Sequence, residues 1–123
     1  MATIVAPAGQ EVDLGIGLTG NVNSDIADRG PLSGPATLRL DTTAGGTPTV
    51  TVNIQGSADG VNWFNVPYSL VATPTTVVVA AITVTSTVVT TYLLTGGYGW
   101  RFLRVAFTAN TNITVNHCGF LAH

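Results

Sequence analysis

Few residues in this sequence are of types that could carry out chemistry. His117, Cys118 and His123 are the side chains that resemble metal ligands. Adjacent residues on a strand point to opposite faces, so His117 and Cys118 would not bind one ion together. The usual zinc-site spacings are also absent. We therefore expect a buried Cys118 beside an outward-facing His117, and neither a metal nor another cofactor.

Glycine and nucleophile motifs give no better support for catalysis. Residues 15–20 read GIGLTG, which matches the dinucleotide-binding pattern, but that pattern lies between a strand and a helix. Here the glycines fall inside an alternating strand, and a turn-rich segment follows. Ser57 is not part of a G-x-S-x-G elbow, and the six acidic residues show no arrangement typical of a glycosidase. The sequence predicts a protein that is not an enzyme.

Charge is scarce and unevenly distributed. Only 8% of the 123 residues are charged, lysine is absent, and the net charge is −2. This balance argues against a nucleic-acid partner, because phosphate binding needs a basic surface. The longest apolar run, Val77–Ile82, is too short to span a membrane, and residues 1–10 lack the features of an export signal. No charged residue occurs from position 60 to position 100.

The elements that would position any site are predicted to be strands. Thr, Val and Ile, which favour pleated sheets, supply 42 of the 123 residues. Apolar residues alternate with polar ones in many short stretches, and no stretch has helical periodicity. We expect one domain over residues 1–123: an antiparallel β-sandwich or jelly-roll of seven to nine strands. The alternation predicts a core containing Val12, Leu14, Leu38, Leu40, Val52, Ile54, Leu103 and Val105.

Strand boundaries follow from the turn residues. Segment 21–35 is rich in Gly, Pro, Asn and Asp and is predicted to be a long surface loop; segment 42–48, with Gly45 and Gly46 at its centre, is predicted to be a turn. Segment 76–94 would contain one or two strands. The clearest hairpin signal is in residues 57–60, where Ser57 and Asp59 can bond turn amides and Gly60 can adopt a positive φ. Trp63 would then cover one end of the core from the returning strand.

Two segments together resemble a known β-sandwich pattern. The first, QGSADGVNW, ends at Trp63, and the second, WRFLRV, contains Arg101, Phe102 and Arg104. Both are similar to segments of discoidin-type domains and of small structural proteins of tailed bacteriophages. The chain is short and has one cysteine, which favours the phage proteins. Its size and its lysine-free composition also resemble capsid decoration (cement) proteins.

The resemblance implies a structural role on the virion. We expect a protein that is made in the host cytoplasm, binds the major capsid protein on the outer capsid surface, and self-associates, as a trimer. Residues 1–10, as an extended arm, and the 21–35 loop are the predicted partner contacts, represented by Ile4, Val5, Pro7, Asn23, Asp25, Asp28 and Arg29. The alternative is a glycan-binding module of a tail fibre, in which Trp63, Tyr68, Tyr98 or Trp100 would stack on sugars. Such a module would expose at least two of these aromatics in one concave site.

Overall fold

The chain forms an all-β structure, as the sequence predicts. A computed structural model describes residues 2–30, 35–94 and 100–122. Those residues contain no helix that is long and apolar enough to cross a membrane. They form eleven strands: β1 (Thr3–Val5), β2 (Glu11–Leu18), β3 (Val22–Asn23), β4 (Ile26–Asp28), β5 (Ala36–Ser57), β6 (Phe64–Asn65), β7 (Tyr68–Leu70), β8 (Thr73–Val78), β9 (Ile82–Val84), β10 (Val88–Leu94) and β11 (Phe102–Ala122).

Two long strands hold the fold together. β5 and β11 pair antiparallel over almost their whole lengths, from Ser57↔Phe102 to Ala36↔Ala122. The register shifts near the middle, around 44–49 and 108–113, and again between Val115 and His117. The second shift is a one-residue bulge. Before it the odd-numbered residues of β11 face inward, and after it the even-numbered residues do so. Consequently Val115 and Cys118, at odd and even positions, are both buried.

Each half of this long pair carries its own neighbouring strands. The first half of β5 pairs with β10, and β10 continues to β7 and the edge strand β8. The second half of β5 pairs with β6 and β9. β11 pairs with β2 near its end and with β3 and β4 near its start. The inner faces of both halves contribute to a single core, so the architecture is a β-sandwich.

Most of the residues that the alternation predicts to be in the core are buried. Seven of the eight predicted residues are buried, and Val12 is partly buried against them. In β5 the buried apolar positions are even-numbered on both sides of Gly45 and Gly46, including Leu38, Leu40, Val52 and Ile54. The largest buried side chains also include Phe107 and Phe120 on β11.

Three boundary predictions are wrong. Residues 42–48 do not end a strand but lie within β5, because β11 pairs with that strand on both sides of the glycines. Within the predicted 21–35 loop, residues 21–30 contain β3 and β4, and Ser24, Ala27 and Arg29 are buried; residues 31–34 lie outside the described part of the chain. Segment 76–94 contains part of β8 and all of β9 and β10, so the strand count exceeds nine.

The N-terminal residues 2–10 are not a free arm, and this prediction is also wrong. β1 pairs parallel with β4, aligning Thr3 with Ile26 and Val5 with Asp28. Ala6 is buried in the core, and the Gly9 amide donates to the Ala122 carbonyl at 2.7 Å. Backbone pairing on one side and burial of a small side chain on the other hold the segment against the body.

Candidate interaction surface

The fold brings the two sequence-signature segments together. The end of β5 lies antiparallel to the start of β11, with Ser57 opposite Phe102 and Gln55 opposite Arg104. The turn after Ser57 then returns the chain to β6, which pairs with β5 at Gln55 and Gly56. Residues that are more than forty positions apart in sequence therefore form one continuous piece of surface.

The turn between β5 and β6 is held by side-chain hydrogen bonds. The Ser57 hydroxyl donates to Asp59 Oδ1 at 2.9 Å and accepts from the Gly60 amide at 2.8 Å. Asp59 Oδ1 also accepts from the amides of Val61 and Asn62, each at 2.9 Å. These amide donors, above all that of Asn62, hold the pKa of Asp59 well below its usual range. Gly60 has φ of 78°, a conformation that favours glycine.

Arg104 covers the ring of Trp63 on the outer face. Its guanidinium carbon lies 4.2 Å from the Trp63 ring centroid, and its Nε donates to Gln55 Oε1 at 2.8 Å. The prediction that Trp63 covers one end of the core is wrong, because Trp100 packs against the core instead. Trp100 lies over Gly56, where a Cβ would come within 2.7 Å of its ring.

Arg101 and Phe102 extend this surface towards β4. The Arg101 side chain forms an ion pair with Asp28, with Nε 3.0 Å from Oδ1, and also lies over the Phe102 ring. The hydrogen bond from Arg101 lowers the pKa of Asp28, and the same pair raises the pKa of Arg101. Both arginines of the second segment thus have partners within the chain. Arg101 is paired with a carboxylate, and Arg104 is hydrogen-bonded to a side-chain amide and lies over an indole ring.

The aromatic side chains do not form the concave site expected of a glycan module in the described residues. Tyr68 is buried edge-to-face against Tyr92, Arg104 lies over Trp63, and Tyr98 is outside the described residues. Phe64, which sequence reasoning missed, is 56% exposed, and its centroid lies 5.6 Å from that of the half-buried Trp100. The Phe64–Trp100 pair is a small candidate surface for the stacking of a sugar ring.

The two predicted partner-contact segments lie side by side. The Ala2 amide donates to Asp25 Oδ1 at 2.9 Å, and β1 pairs with β4 as described above. Ile4 and Asn23 are half-buried, whereas Val5 is 74% exposed. A shallow cavity of about 290 Å³ lies at this junction, lined by Val5, Ala6, Pro7, Ala8, Asp28, Arg29 and Gly30. Arg29 is buried there, and this burial lowers the pKa of its guanidinium.

A second and larger cavity lies where the pairing register of the two long strands shifts. It has a volume of about 460 Å³ and is open to solvent between β5, β11 and the end of β2. Nearby, Thr47, Ala109 and Asn112 adopt positive φ without being glycine. The Asn110 side chain donates to the Gly20 carbonyl at 3.2 Å, so its amide links β11 to the residues that follow β2. The lining is made of Thr19, Gly20, Thr43, Ala44, Gly45, Asn110, Asn112, Ile113 and Thr114.

The histidine and cysteine at the end of the chain are arranged as expected. Cys118 is fully buried, and desolvation raises its pKa to about 12. His117 is partly exposed, with Nδ1 3.6 Å from Asp13 Oδ1. Among the described residues, no group of three potential metal ligands comes together. His123 is outside them.

A hairpin of β7 and β8 exposes aliphatic side chains. Residues 73–77 of β8 are all exposed, and β8 pairs with β7 along one edge. Val71, Val77 and Val79 are each between 55% and 61% exposed, and Leu70 is 42% exposed. This β7–β8 hairpin, residues 68–79, lies within the 41 uncharged positions from 60 to 100. Exposed apolar groups without nearby charge are typical of interaction surfaces.

The fold and this surface define a small β-sandwich with exposed apolar and aromatic side chains. No protein-family model and no curated protein matches the sequence. Among solved structures, the chain is similar to the crystal structure of the SPBc2 prophage-derived protein YomS, with a TM-score of 0.64. The similarity covers 93% of this chain and 92% of that one, at 9% sequence identity. At that identity the comparison shows a shared fold.

Proposed function

We propose that this chain is a non-enzymatic structural protein of a bacteriophage particle, where it binds the major capsid protein on the outer surface as a decoration protein. The observation that carries the proposal is the exposed, uncharged β7–β8 hairpin, an association surface that is expected of a protein that works within a larger assembly. Two features give further support: the fold is shared with a protein described as prophage-derived, and the signature segments resemble phage structural proteins.

The charge distribution suggests how such a protein would bind. Two of its four arginines, Arg39 and Arg101, are already paired with Glu11 and Asp28. Binding to a shell would therefore depend on apolar burial, shape and backbone hydrogen bonds. Ion pairs across the interface would contribute little, so moderate salt should weaken binding only slightly.

Co-sedimentation with capsids tests the proposal. Purified protein is mixed with empty shells of the phage that encodes it, and bound protein is quantified after centrifugation through a cushion, at low and at moderate salt. Saturable binding at a fixed ratio to the capsid protein, similar at both salt concentrations, is expected. Protein that stays in the supernatant at every concentration would overturn the proposal. Shells of an unrelated phage serve as the control.

Glycan binding is the second candidate, and the exposed Phe64 ring beside Trp100 favours it. A glycan-array experiment with the wild-type chain and with Phe64→Ala separates the two functions. Binding that Phe64→Ala removes would assign the glycan role. Val61→Ala, at a more exposed position in the adjacent turn, is the matched control.

A further inference from the structure

The edge strand β8 has backbone groups available for another strand. β8 pairs with β7 through Tyr68↔Val78 and Leu70↔Thr73, and no other described strand pairs with it. Its second edge therefore presents N–H and C=O groups outward. Such an edge is a template for strand addition unless charges, prolines or bulges protect it.

Protection of this edge is weak. Residues 60–100 contain no Asp, Glu, Lys or Arg, so neither β8 nor the adjoining strands β7 and β10 carry a charge that would oppose an incoming strand. Pro74 lacks an N–H and restricts a new ladder to the part of β8 from Thr75 onwards. The opposite edge strand, β1, has only three residues and lies beside Asp25, Asp28 and Arg101. Of the described strands that pair on one side alone, β2 is longer, but it carries Glu11 and Asp13; β8 is the longest one without a charge.

We infer that the occupant of this edge is a second copy of the same chain, which adds its own β8 antiparallel about a two-fold axis. A charged partner strand would have no opposite charge on β8 to pair with. An identical strand carries no charge, so it is not repelled and leaves no charge unpaired. Antiparallel pairing of a strand with itself is self-complementary, so one surface satisfies both copies. Thr and Val at 75–78 are residue types that form favourable cross-strand pairs.

The flanking side chains would add apolar burial to the hydrogen bonds. Val77 and Val79 lie on or next to β8, and Val71 lies in the turn that precedes it, all more than half exposed. A two-fold interface joins two copies, so the inference specifies a dimer in place of the trimer that the family resemblance implies. It goes beyond the proposed function, because it concerns the free protein in solution.

Sedimentation velocity combined with amide hydrogen exchange tests the inference. The wild-type chain should sediment as a dimer at micromolar concentration, and exchange at residues 75–78 should slow as the protein concentration rises. Val77→Lys places two like charges across the axis and should weaken dimerisation by about tenfold or more. Thr75→Lys is a second variant with the same expectation. Val61→Lys makes the same change at a more exposed turn position and should remain dimeric.

The outcomes separate this inference from the capsid proposal. A wild-type monomer at submillimolar concentration, a trimer, or a Val77→Lys variant that dimerises as well as wild type would each overturn the dimer. Hairpin amides that become protected only when shells are added would assign the hairpin to the capsid protein and also overturn it. A monomeric, folded Val77→Lys variant that still co-sediments with shells would support both the dimer edge and a separate capsid surface.

Discussion

The guanidinium of Arg104 lies over the indole ring of Trp63, 4.2 Å from its centroid. The contact joins β11 to the segment that follows the Ser57–Gly60 turn, and Gln55 fixes the arginine from the strand between them. It occupies one face of the indole ring, on which a sugar or a planar ligand would otherwise stack. On this surface, a side chain of the second signature segment, Arg104, therefore packs on a side chain of the first, Trp63.

A double-mutant cycle measures this contact. Trp63→Leu and Arg104→Met each remove the cation–π interaction, and the coupling between them should be about 0.5–2 kcal/mol in the free energy of unfolding. Urea denaturation of the four proteins gives the value. A coupling energy near zero would show that the two side chains lie together without stabilising each other.

Replacement of Gly60 should destabilise the fold through its backbone. Gly60 has φ of 78°, and an added Cβ would meet the Phe102 ring at an ordinary 3.7 Å. Gly60→Val should therefore cost about 1–2 kcal/mol from conformation alone. Gly46→Val is the matched control, because that glycine has open space around it and no positive φ. Equal melting temperatures for the two variants would contradict the turn geometry.

Local patterns predicted the parts of the fold that are determined by neighbours in sequence. The period-2 alternation of Leu38, Leu40, Val52 and Ile54 and the Ser57–Gly60 turn are of this kind. The continuous β5 could not be predicted, because Gly45 and Gly46 favour a turn locally. Pairing with β11, more than sixty residues away, decides that structure.

The candidate surfaces show the same limit. The signature segments were recognisable, but the stacking of Arg104 on Trp63 depends on the register between β5 and β11. Residues 1–10 and 21–35 both appear unstructured in sequence, and parallel pairing of β1 with β4 becomes visible only in three dimensions. The uncharged 60–100 stretch predicts an association surface, but which strand lies at the edge is visible only in the structure.

Stability should fall in acid. The pKa values of Glu11, Asp28 and Asp59 are lowered, by the Arg39 hydrogen bond, the Arg101 hydrogen bond and turn amides respectively. A carboxyl whose folded pKa is depressed stabilises the fold above its unfolded pKa, about 4, and loses that contribution as the pH falls through the folded value. Urea midpoints should be constant in neutral solution and decrease below about pH 4.

Asp59→Asn tests the part of this effect that comes from the turn. The variant cannot ionise at position 59, so its stability should be lower at neutral pH and should decrease less steeply in acid. Parallel pH profiles for the variant and the wild type would show that the amide bonds to Asp59 do not stabilise the folded state.

Cys118 should be inert in the native protein. Burial raises its pKa to about 12, so little of the reactive thiolate is present near neutral pH. Iodoacetamide should leave the folded chain unmodified and alkylate it in denaturant, as read by mass spectrometry. Ile16→Cys, at an exposed strand position, provides a control that should be labelled once in the native state. Rapid double labelling of that variant would contradict the burial of Cys118.

The central claim, that this chain is a structural component of a phage particle, is tested most directly by a quantitative mass-spectrometric inventory of virions. Particles of the phage that encodes the chain are purified from a lysate and compared with the particle-free fraction. The account predicts that the chain is present in virions at a fixed ratio to the major capsid protein and is released before the shell dissociates. Its absence from intact virions, with the protein recovered only in the particle-free fraction, would contradict the account.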